Sequence, residues 1–346
     1  MIVRSGSVWD ARRPGACAVS SPKSGLRSGT WTSIGASCDQ FEALLSTLYI
    51  VITDFNGFAQ TSRCLDALIS SDRSDFHTLV VDHGTSDETR RGLQARYPEV
   101  CRIQGSEDLW WTGAVNLGVR FALESGASAV MLLNNDCYVE PGAIDILVRN
   151  WRENPGAIVA PVQRDYLSGD ILSYDPGTCF LLGFSTLRGP RKIPRRVMER
   201  PLIDVDLILG GRGAIIPAVV FEQVGLFDEI ELPHYGADHD FYLRARDKGV
   251  RLCVATNAFV DVDDTRTTAA DRPGELSFRE FVATFKNRRS HRNLGDVAAL
   301  YRKHYPVPGF YVVGVVLSTI RYFLIYVIGR CWRRLGPTRI DRRETK

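Results

Sequence analysis

Oxygen-bearing side chains follow a run of apolar residues near the middle of the chain. Asn134, Asn135 and Asp136 come directly after the apolar residues 129–133. A cluster that offers only oxygen ligands suits Mg²⁺ or Mn²⁺, which commonly takes one or two carboxylates together with substrate phosphates. The chain contains neither a P-loop nor a GxGxxG sequence, so the ion and basic side chains would neutralise such phosphates. Taken alone, the three residues predict a polar turn as readily as a metal site.

A second group of carboxylates lies in the later half of the chain. Asp238 and Asp240 stand at the start of a helix that is predicted to run from Asp240, with Arg244 and Arg246 on its polar side. The helix dipole favours the ionised form of carboxylates at this end. One interpretation is an N-cap with a second acid beside it. The other is a general base that takes a proton from a sugar hydroxyl. Taken alone, the two residues favour the cap.

The elements that must position these residues alternate between strands and helices. Apolar runs at 48–52, 78–81 and 129–133 each end in a polar cluster, and a weaker strand is predicted at 101–103. Helical patterns lie between them, which predicts an α/β fold with a mostly parallel sheet covered by helices on both faces. Ligands bind beyond the carboxyl ends of the strands in such sheets, although the same residue types also favour ordinary turns. The polar clusters are residues 53–56, 82–87 and 134–136.

Four motifs follow one another in this framework. They are residues 80–87 (VVDHGTSD), 110–118 (WWTGAVNLG), 134–136 (NND) and 225–241, which begin with GLFDE and end with DHDF. In this combination the chain resembles the family-2 glycosyltransferases of the GT-A fold, a Rossmann-type fold, and above all the bacterial rhamnosyltransferase-like and galactofuranosyltransferase-like branch. The resemblance covers roughly residues 48–305. It implies an inverting transferase that moves a sugar from a nucleoside diphosphate to an acceptor hydroxyl, with Mg²⁺ or Mn²⁺ bridging the two phosphates.

The resemblance also implies roles for individual residues. Asp136 matches the metal-binding acid of the family's Asp-x-Asp motif. Asp238 matches the acid expected to act as the catalytic base, and Asp240 would support the site. Phe55 would stack on the nucleoside base, and Asp82 would bond the edge of that base. The nucleotide-sugar site implied in this way contains Thr53, Phe55, Asn56, Asp82, Asp87, Trp111, Gly113, Asn116, Asn134 and Asn135.

The chain departs from the family pattern at several positions. Asn134 replaces the first acid of the Asp-x-Asp motif, which leaves more of the metal binding to Asp136. His83 replaces a common Asn, and Ala237 replaces the acid that precedes the candidate base. The sequence leaves open whether an aspartate takes the place of the metal-binding histidine that many relatives carry. The aspartates in question are Asp261, Asp263 and Asp264.

The composition excludes several classes of protein. Of the 346 residues, 45% are apolar and 24% are charged, which is typical of globular proteins and not of disordered, collagen-like or polytopic membrane chains. The eight cysteines form no CxxC pair, so the sequence indicates reduced thiols of a cytosolic protein. Residues 1–46 are rich in Ser, Gly, Ala and Arg, with no apolar period. This pattern predicts a disordered leader, or translation from a start codon upstream of the true one.

The charge is divided unevenly along the chain. Residues 286–346 hold 14 Lys and Arg against 3 Asp and Glu, while the rest of the chain holds 29 against 37. Within this tail, residues 307–329 carry no charge except that of Arg321 and are long enough to span a bilayer. Both flanks are basic, however, whereas a single span carries its positive excess on one side. The pattern therefore favours a helix or bent hairpin on the cytoplasmic face of a membrane, with a spanning helix and a core helix as alternatives.

These observations together predict a three-part chain: a disordered leader (1–46), a GT-A glycosyltransferase domain (47–285) and a helical, membrane-associating extension (286–346). The expected partners are a nucleoside-diphosphate sugar, a cell-surface glycan or polyprenyl-linked acceptor, and the inner face of a membrane. Nucleic acid is not expected, because the body is acidic and no recognition motif is present. A sugar nucleotidyltransferase is one alternative, but residues 53–57 lack its Gly-rich basic loop. A catalytically inactive glycan-binding protein is the other, and the substitutions in the acidic motifs leave it open.

Overall fold

The computed structural model describes residues 47–187, 189, 191–263, 265 and 273–335. The predicted leader, Asp264 and the end of the basic tail lie outside the described residues. The central element is a mixed ten-stranded sheet. Its strands are β1 (Leu48–Asp54), β2 (Phe76–Asp82), β3 (Cys101–Gln104), β4 (Ala129–Asn134), β5 (Cys137–Val139), β6 (Ile158–Asp165), β7 (Ile171–Ser173), β10 (Leu202–Asp204), β11 (Arg212–Pro217) and β12 (Leu252–Val262), while β8 (Gly177–Cys179) and β9 (Phe184–Leu187) form a separate hairpin.

The parallel part of the sheet brings the predicted polar clusters together. The main path runs β10-β12-β6-β11-β4-β1-β2-β3, with β5 and β7 paired at its side. β1 lies parallel to both β2 and β4. Its register sets Thr53 beside Asn134 and Asp54 beside Asp82. The predicted common edge for the ends of these strands is therefore confirmed. β11, which the sequence did not predict, lies antiparallel between β4 and β6.

Helices cover both faces of this sheet. Successive residues of a strand point to opposite faces, so Val51 packs into one hydrophobic cluster while Ile50 and Ile52 pack into the other. This arrangement explains why the strands are apolar throughout rather than alternating. The helices are α1 (Phe58–Ile69), α2 (Glu88–Arg96), α3 (Trp110–Glu124), α4 (Ala143–Glu153), α5 (Arg195–Met198), α6 (Ala218–Val224), α7 (Ala237–Asp247), α8 (Phe278–Thr284), α9 (Leu294–His304) and α10 (Tyr311–Leu335).

Two helices begin earlier than their sequence patterns predict. α3 begins at Trp110, because a 3-10 turn capped by the Ser106 side chain leads directly into it. Residues 110–118 therefore belong to a helix, whereas the family resemblance implies that Gly113 and Asn116 lie in a loop that closes over ribose and phosphate. α7 begins at Ala237, directly after Gly236, whose φ of +85° suits glycine. Asp238 and Asp240 consequently lie within the first turn of α7.

Candidate active site

The loop that follows β1 is held by a buried carboxylate. Asp54 is fully buried and accepts hydrogen bonds from the Gly57 amide and the Thr89 hydroxyl, both at 3.0 Å, and from the Thr61 hydroxyl. It thereby fixes the path of the chain between β1 and α1. Asp54 was not among the predicted site residues, although its place directly after a buried strand was a signal for it.

The loops after β1 and β2 are joined by the side chain of Asn56. Its Oδ1 accepts the backbone amides of Thr85 and Ser86 at 3.0 Å each, and its Nδ2 donates to the Thr85 hydroxyl. The backbone of Asn56 has a φ of +53°, a conformation that Asn tolerates better than most residues. Asp87, another predicted contact, is exposed and pairs with Arg90. Both residues therefore shape the edge of the site through contacts within the protein.

A cluster of aromatic and charged side chains, called the aromatic cluster below, lies beyond these loops. The ring centroids of Phe55 and His83 are 5.3 Å apart, and the guanidinium of Arg289 lies 5.3 Å from the Phe55 centroid. Asp82 is 3% exposed, and its Oδ2 accepts two hydrogen bonds from Arg102 at 2.8 and 2.7 Å. Burial raises the pKa of Asp82, although Arg102 opposes this effect. The aromatic cluster therefore contains aromatic rings and a carboxylate that Arg102 keeps in place.

Two histidines in or near the aromatic cluster were not predicted as site residues. The Nδ1 atoms of His83 and His234 are buried and have no hydrogen-bond partner among the described residues. Burial lowers the pKa of each imidazole to about 4. The indole of Trp110 lies 5.7 Å from the His234 ring. The replacement of a common Asn by His83 was the only sequence signal for this pair.

The polar residues after β4 are partly occupied by contacts within the protein. The indole Nε1 of Trp111 donates to Asn134 Oδ1 at 3.0 Å. The amide of Asn135 donates to the Thr61 hydroxyl at 3.1 Å. Thr53 is 7% exposed beside Asn134. The structure therefore brings Thr53, Trp111, Asn134 and Asn135 to one edge of the sheet.

Two other predicted residues lie inside α3. Asn116 is 1% exposed, and its amide group bonds to the backbone of Phe227 and to the carboxylate of Glu229. Gly113 lies where an added Cβ would be 3.2 Å from Leu109. Both residues connect α3 with neighbouring segments, which keeps the indole of Trp111 on the adjacent turn in place.

Asp136 is the candidate metal ligand. Burial raises the pKa of this carboxylate, with the charge of Arg212 acting against the effect and that of Asp263 adding to it. The backbone amide of Asp263 donates to the Asp136 carbonyl at 2.8 Å, whereas Asp261 is paired with Arg164 at 2.8 Å. Of the two described C-terminal aspartates, Asp263 is therefore the one beside Asp136.

A divalent cation would compensate the buried charge of Asp136, whereas the nearby carboxylate of Asp263 already accepts hydrogen bonds from the hydroxyls of Tyr138 and Thr265. A buried carboxylate whose pKa is raised gains from a nearby positive charge. Within the described residues, no three His, Cys, Asp or Glu side chains come together as a complete metal cage. Asp136 and Asp263 would therefore supply only part of the coordination shell, which is the usual situation for Mg²⁺ or Mn²⁺ on a phosphorylated substrate.

Asp238 is tethered at both oxygens. Oδ2 accepts the Gly210 amide at 2.7 Å, and Oδ1 lies 3.1 Å from the Nδ1 of His239. Burial opposes ionisation, but the charge of His239 and the hydrogen bonds from His239 and Gly210 outweigh it and lower the pKa of Asp238 to about 2. The carbonyl of Gly211, the next residue, accepts the backbone amide of Asn134 at 2.6 Å. Two consecutive residues, Gly210 and Gly211, thus join Asp238 to the end of β4.

Asp240 faces the opposite way. It is fully buried and is bonded by Arg244 at 2.8 Å and by His304 at 2.9 Å. Burial raises its pKa, but the hydrogen bond from His304 and the charge of Arg244 more than compensate and lower it. Asp240 therefore fixes α7 against α9 and does not face Asp136.

Comparison with solved structures identifies the class of fold. The crystal structure of GalNAc-T7 with UDP, GalNAc and Mn²⁺ superimposes with a TM-score of 0.53 at 13% identity, covering 85% of this chain and 60% of that one. The UDP complex of TarS 1-349 from S. aureus gives a TM-score of 0.48 at 13% identity over 86% of this chain and 94% of its own. The fold is a mixed α/β fold of the GT-A type, as predicted, with a C-terminal helix.

The sequence comparison finds a family model that matches part of the chain. Residues 49–201 match glycosyl transferase family 2. The uncharacterized proteins Rv1525 of Mycobacterium tuberculosis and Mb1552 of Mycobacterium bovis are each 27% identical over 158 residues, which is 45% of this chain and 54% of theirs. The chain thus spans about half the length of the curated relatives it matches. The match of residues 49–201 to glycosyl transferase family 2 supports a glycosyltransferase.

Proposed function

We propose that the chain is an inverting glycosyltransferase that moves a sugar from a nucleoside diphosphate to an acceptor hydroxyl. The observation that carries this proposal is a pair of hydrogen bonds at Gly210 and Gly211, which we call the junction. The Gly210 amide donates to Asp238, and the Gly211 carbonyl accepts from the Asn134 amide. The junction holds the candidate base Asp238 beside the end of β4, which Asp136 follows. This edge of the sheet is where the nucleotide binds in our proposal. A single displacement needs one base on the acceptor side and charge stabilisation on the leaving-group side, and this junction joins the two.

Each residue of the site has a distinct task in this reaction. Phe55 and Asp82 hold the nucleoside, with Arg102 keeping the carboxylate in position. Asp136, with Asp263 beside it, would hold the divalent cation. When bound there, that cation supplies positive charge to the leaving diphosphate. Asp238 takes the acceptor's proton, and Asp240 supports α7 from behind.

The donor sugar and the acceptor follow from the motif resemblance. The rhamnosyltransferase-like and galactofuranosyltransferase-like branch uses sugars of those two types, and we propose the same for this chain. The acceptor we propose is a cell-surface glycan or a polyprenyl-linked intermediate. The apolar C-terminal helix supports this proposal, because a lipid-linked acceptor lies at a membrane surface.

Many apolar side chains of α10 face outward, whereas a surface helix of a soluble protein turns its apolar side chains towards the core. The side facing the protein contains Gly314, Ser318 and Tyr326, which are buried. The exposed side is apolar, and one stretch, Tyr311–Trp332, is long and apolar enough to cross a membrane by length and composition. Large exposed apolar surfaces mark interaction sites. The exposed apolar side chains of α10 are Val312, Val313, Val316, Ile320, Phe323, Leu324, Ile325, Val327, Ile328 and Trp332.

The packing of α10 supports a helix that lies on a membrane. An added Cβ at Gly314 would be 2.6 Å from the rings of Tyr301 and Tyr305, and Gly329 lies against the backbone of Gly274. These contacts are about 22 Å apart along the helix, so α10 packs against the rest of the protein along most of its length. We propose that the apolar side rests in the cytoplasmic face of the cell membrane. In this proposal residues 47–285 carry catalysis and residues 286–346 carry membrane association.

A thermal-shift panel tests donor and metal binding together. The wild-type protein is heated with UDP-, dTDP- and GDP-sugars, each with and without Mn²⁺. We expect one class to raise the melting temperature only with Mn²⁺, and Asp136→Ala to abolish that shift. The exposed Asp170→Ala is the matched control and should retain the shift. Unchanged binding by Asp136→Ala, with and without Mn²⁺, would contradict the metal assignment.

Transfer and location need their own tests. With the donor chosen by the panel, Asp238→Asn should bind donor but fail to transfer the sugar, and retained turnover would contradict the choice of base. Donor binding without any turnover in the wild-type protein would indicate the inactive glycan-binding alternative. Deleting residues 307–346 should move the protein from the membrane pellet to the soluble fraction, and continued pelleting would refute the membrane proposal.

A further inference from the structure

The candidate base is part of a three-residue chain of polar contacts. Asp238 Oδ1 lies 3.1 Å from Nδ1 of His239, and Nε2 of the same ring lies 2.7 Å from the Thr186 hydroxyl. The side chains of Asp238 and His239 are only 16% and 17% exposed. A carboxylate, an imidazole and a hydroxyl are therefore aligned through both nitrogens of one ring.

Contacts with α10 hold the segment that carries Thr186 in place. It lies on β9, which follows the turn at Gly183. An added Cβ at Gly183 would be 2.5 Å from the backbone nitrogen of Ser318 in α10, so the turn packs directly on that helix. The guanidinium of Arg321 lies 4.4 Å from the Phe184 ring. These contacts fix the hydroxyl that orients His239.

The titratable groups around His239 come from two elements, α7 and β11. Asp238 on the same helix favours the protonated ring, and Arg212 on β11 disfavours it. Tyr242, one turn further along α7, faces Asp238. Burial acts against protonation, but the charge and hydrogen bond of Asp238 outweigh it and raise the pKa of His239. By thermodynamic linkage, a protonated His239 lowers the proton affinity of Asp238 by the same free energy.

We propose that His239, oriented by Thr186, controls the basicity of Asp238, so that sugar transfer requires neutral His239. This inference rests on the proposed function, in which Asp238 is the base. In the transfer step the acceptor O–H bond breaks and its proton moves to the Asp238 carboxylate. The acceptor oxygen bonds to the anomeric carbon as the bond from that carbon to the diphosphate breaks. An imidazolium 3.1 Å away stabilises the carboxylate as an anion and makes it a poor proton acceptor, whereas neutral imidazole lacks the positive charge and stabilises the anion less. His239 is a positioning residue that acts through Asp238.

The dependence of kcat on pH tests the inference. The assay measures nucleoside diphosphate released from the donor that the thermal-shift panel selects, with Mn²⁺ present. Wild-type kcat should fall about tenfold per pH unit below an inflection above the ordinary histidine value of about 6.5, because one deprotonated group is required. His239→Gln should lose this inflection and stay flat over the same range. Thr186→Val should displace the inflection, and Thr186→Ser should restore it.

Histidine NMR provides a readout that does not depend on activity. In protein labelled with ¹³C-histidine, the His239 signal is assigned by its absence from His239→Gln. We expect it to titrate above 6.5 in the wild type and at lower pH in Asp238→Asn. An inflection retained by His239→Gln, or a His239 titration unaffected by Asp238→Asn, would overturn the inference. Turnover retained by Asp238→Asn would instead overturn the choice of base, so the two failures are distinguishable.

Discussion

The burial of two histidines at the aromatic cluster leads to a quantitative prediction about the stability of the protein in acid. His83 is 6% exposed, and burial lowers its pKa to about 4, as it does for His234. An unfolded chain has ordinary histidines with pKa values of about 6.5. The folded state therefore disfavours the protonated ring. The resulting contribution to stability is complete above pH 6.5 and is lost as the pH falls towards 4.

The size of this loss follows from the two pKa values. At pH 5 the unfolded chain binds almost one proton at each position, while the folded chain binds about a tenth of one. Integrating this difference from neutral pH gives about 2 kcal/mol per histidine. A typical domain is stable by about 5–15 kcal/mol, so the loss is large enough to measure in urea.

Urea unfolding at pH 7.5 and pH 5.0 tests this prediction. The change in the free energy of unfolding between the two pH values is compared for the wild type, His83→Asn and His234→Gln. Other groups also titrate over this range, but they cancel in the comparison. Each variant should lose about 2 kcal/mol less than the wild type on acidification. The exposed His77→Gln should behave as the wild type does. If His83→Asn lost as much stability as the wild type, the argument that His83 is buried in its neutral form would fail.

Two further predictions concern α7 and α10. Asp240→Asn should lower the free energy of unfolding by about 3 kcal/mol, because it removes the charge of a fully buried carboxylate that Arg244 and His304 bond. Asp170→Asn at an exposed position should change it by less than about 0.5 kcal/mol in the same urea assay. The double substitution Val316→Asp and Ile320→Asp should release the protein from anionic vesicles in a sedimentation assay. Val219→Asp, exposed on the body, should leave binding intact, and equal sedimentation of all three proteins would contradict the proposed membrane contact.

The edge of the sheet could be predicted because the information is local. Apolar runs of β1, β2 and β4 are continuous in the sequence, and each is followed at once by polar residues. A parallel arrangement then requires their ends to meet. The register that sets Thr53 beside Asn134 adds precision to that prediction without changing it.

The partners of the site residues could not be predicted, because they are distant in sequence. His239 and Thr186 are 53 residues apart, and Asp240 and His304 are 64 apart. No periodicity links such positions, and only the packed structure brings them together. Asp240 illustrates the consequence, because its place beside Asp238 in the sequence suggested a common site. The two side chains are two residues apart in the first turn of α7, so they point to nearly opposite faces of the helix.

The β8–β9 hairpin connects the proposed membrane surface with the candidate base, which leads to a final prediction. Gly183→Val should disturb this connection, since the turn has a φ of +77° and lies against the backbone of Ser318. Thr186 would then shift, and the inflection in the pH dependence of kcat should move. Gly169→Val is a matched control, because its φ is +71° but nothing lies within 4 Å of the added Cβ.

The control separates two effects of the substitution. Both variants place a β-branched residue where φ is positive, so both should lower the melting temperature through backbone strain. Only Gly183→Val also pushes the hairpin away from α10. A shifted inflection in Gly183→Val with an unchanged one in Gly169→Val would mean that α10 supports the basicity of Asp238 through Thr186 and His239. If the inflection stayed in place in both folded variants, the hairpin would support the protein without influencing its base, and α10 would act through location alone.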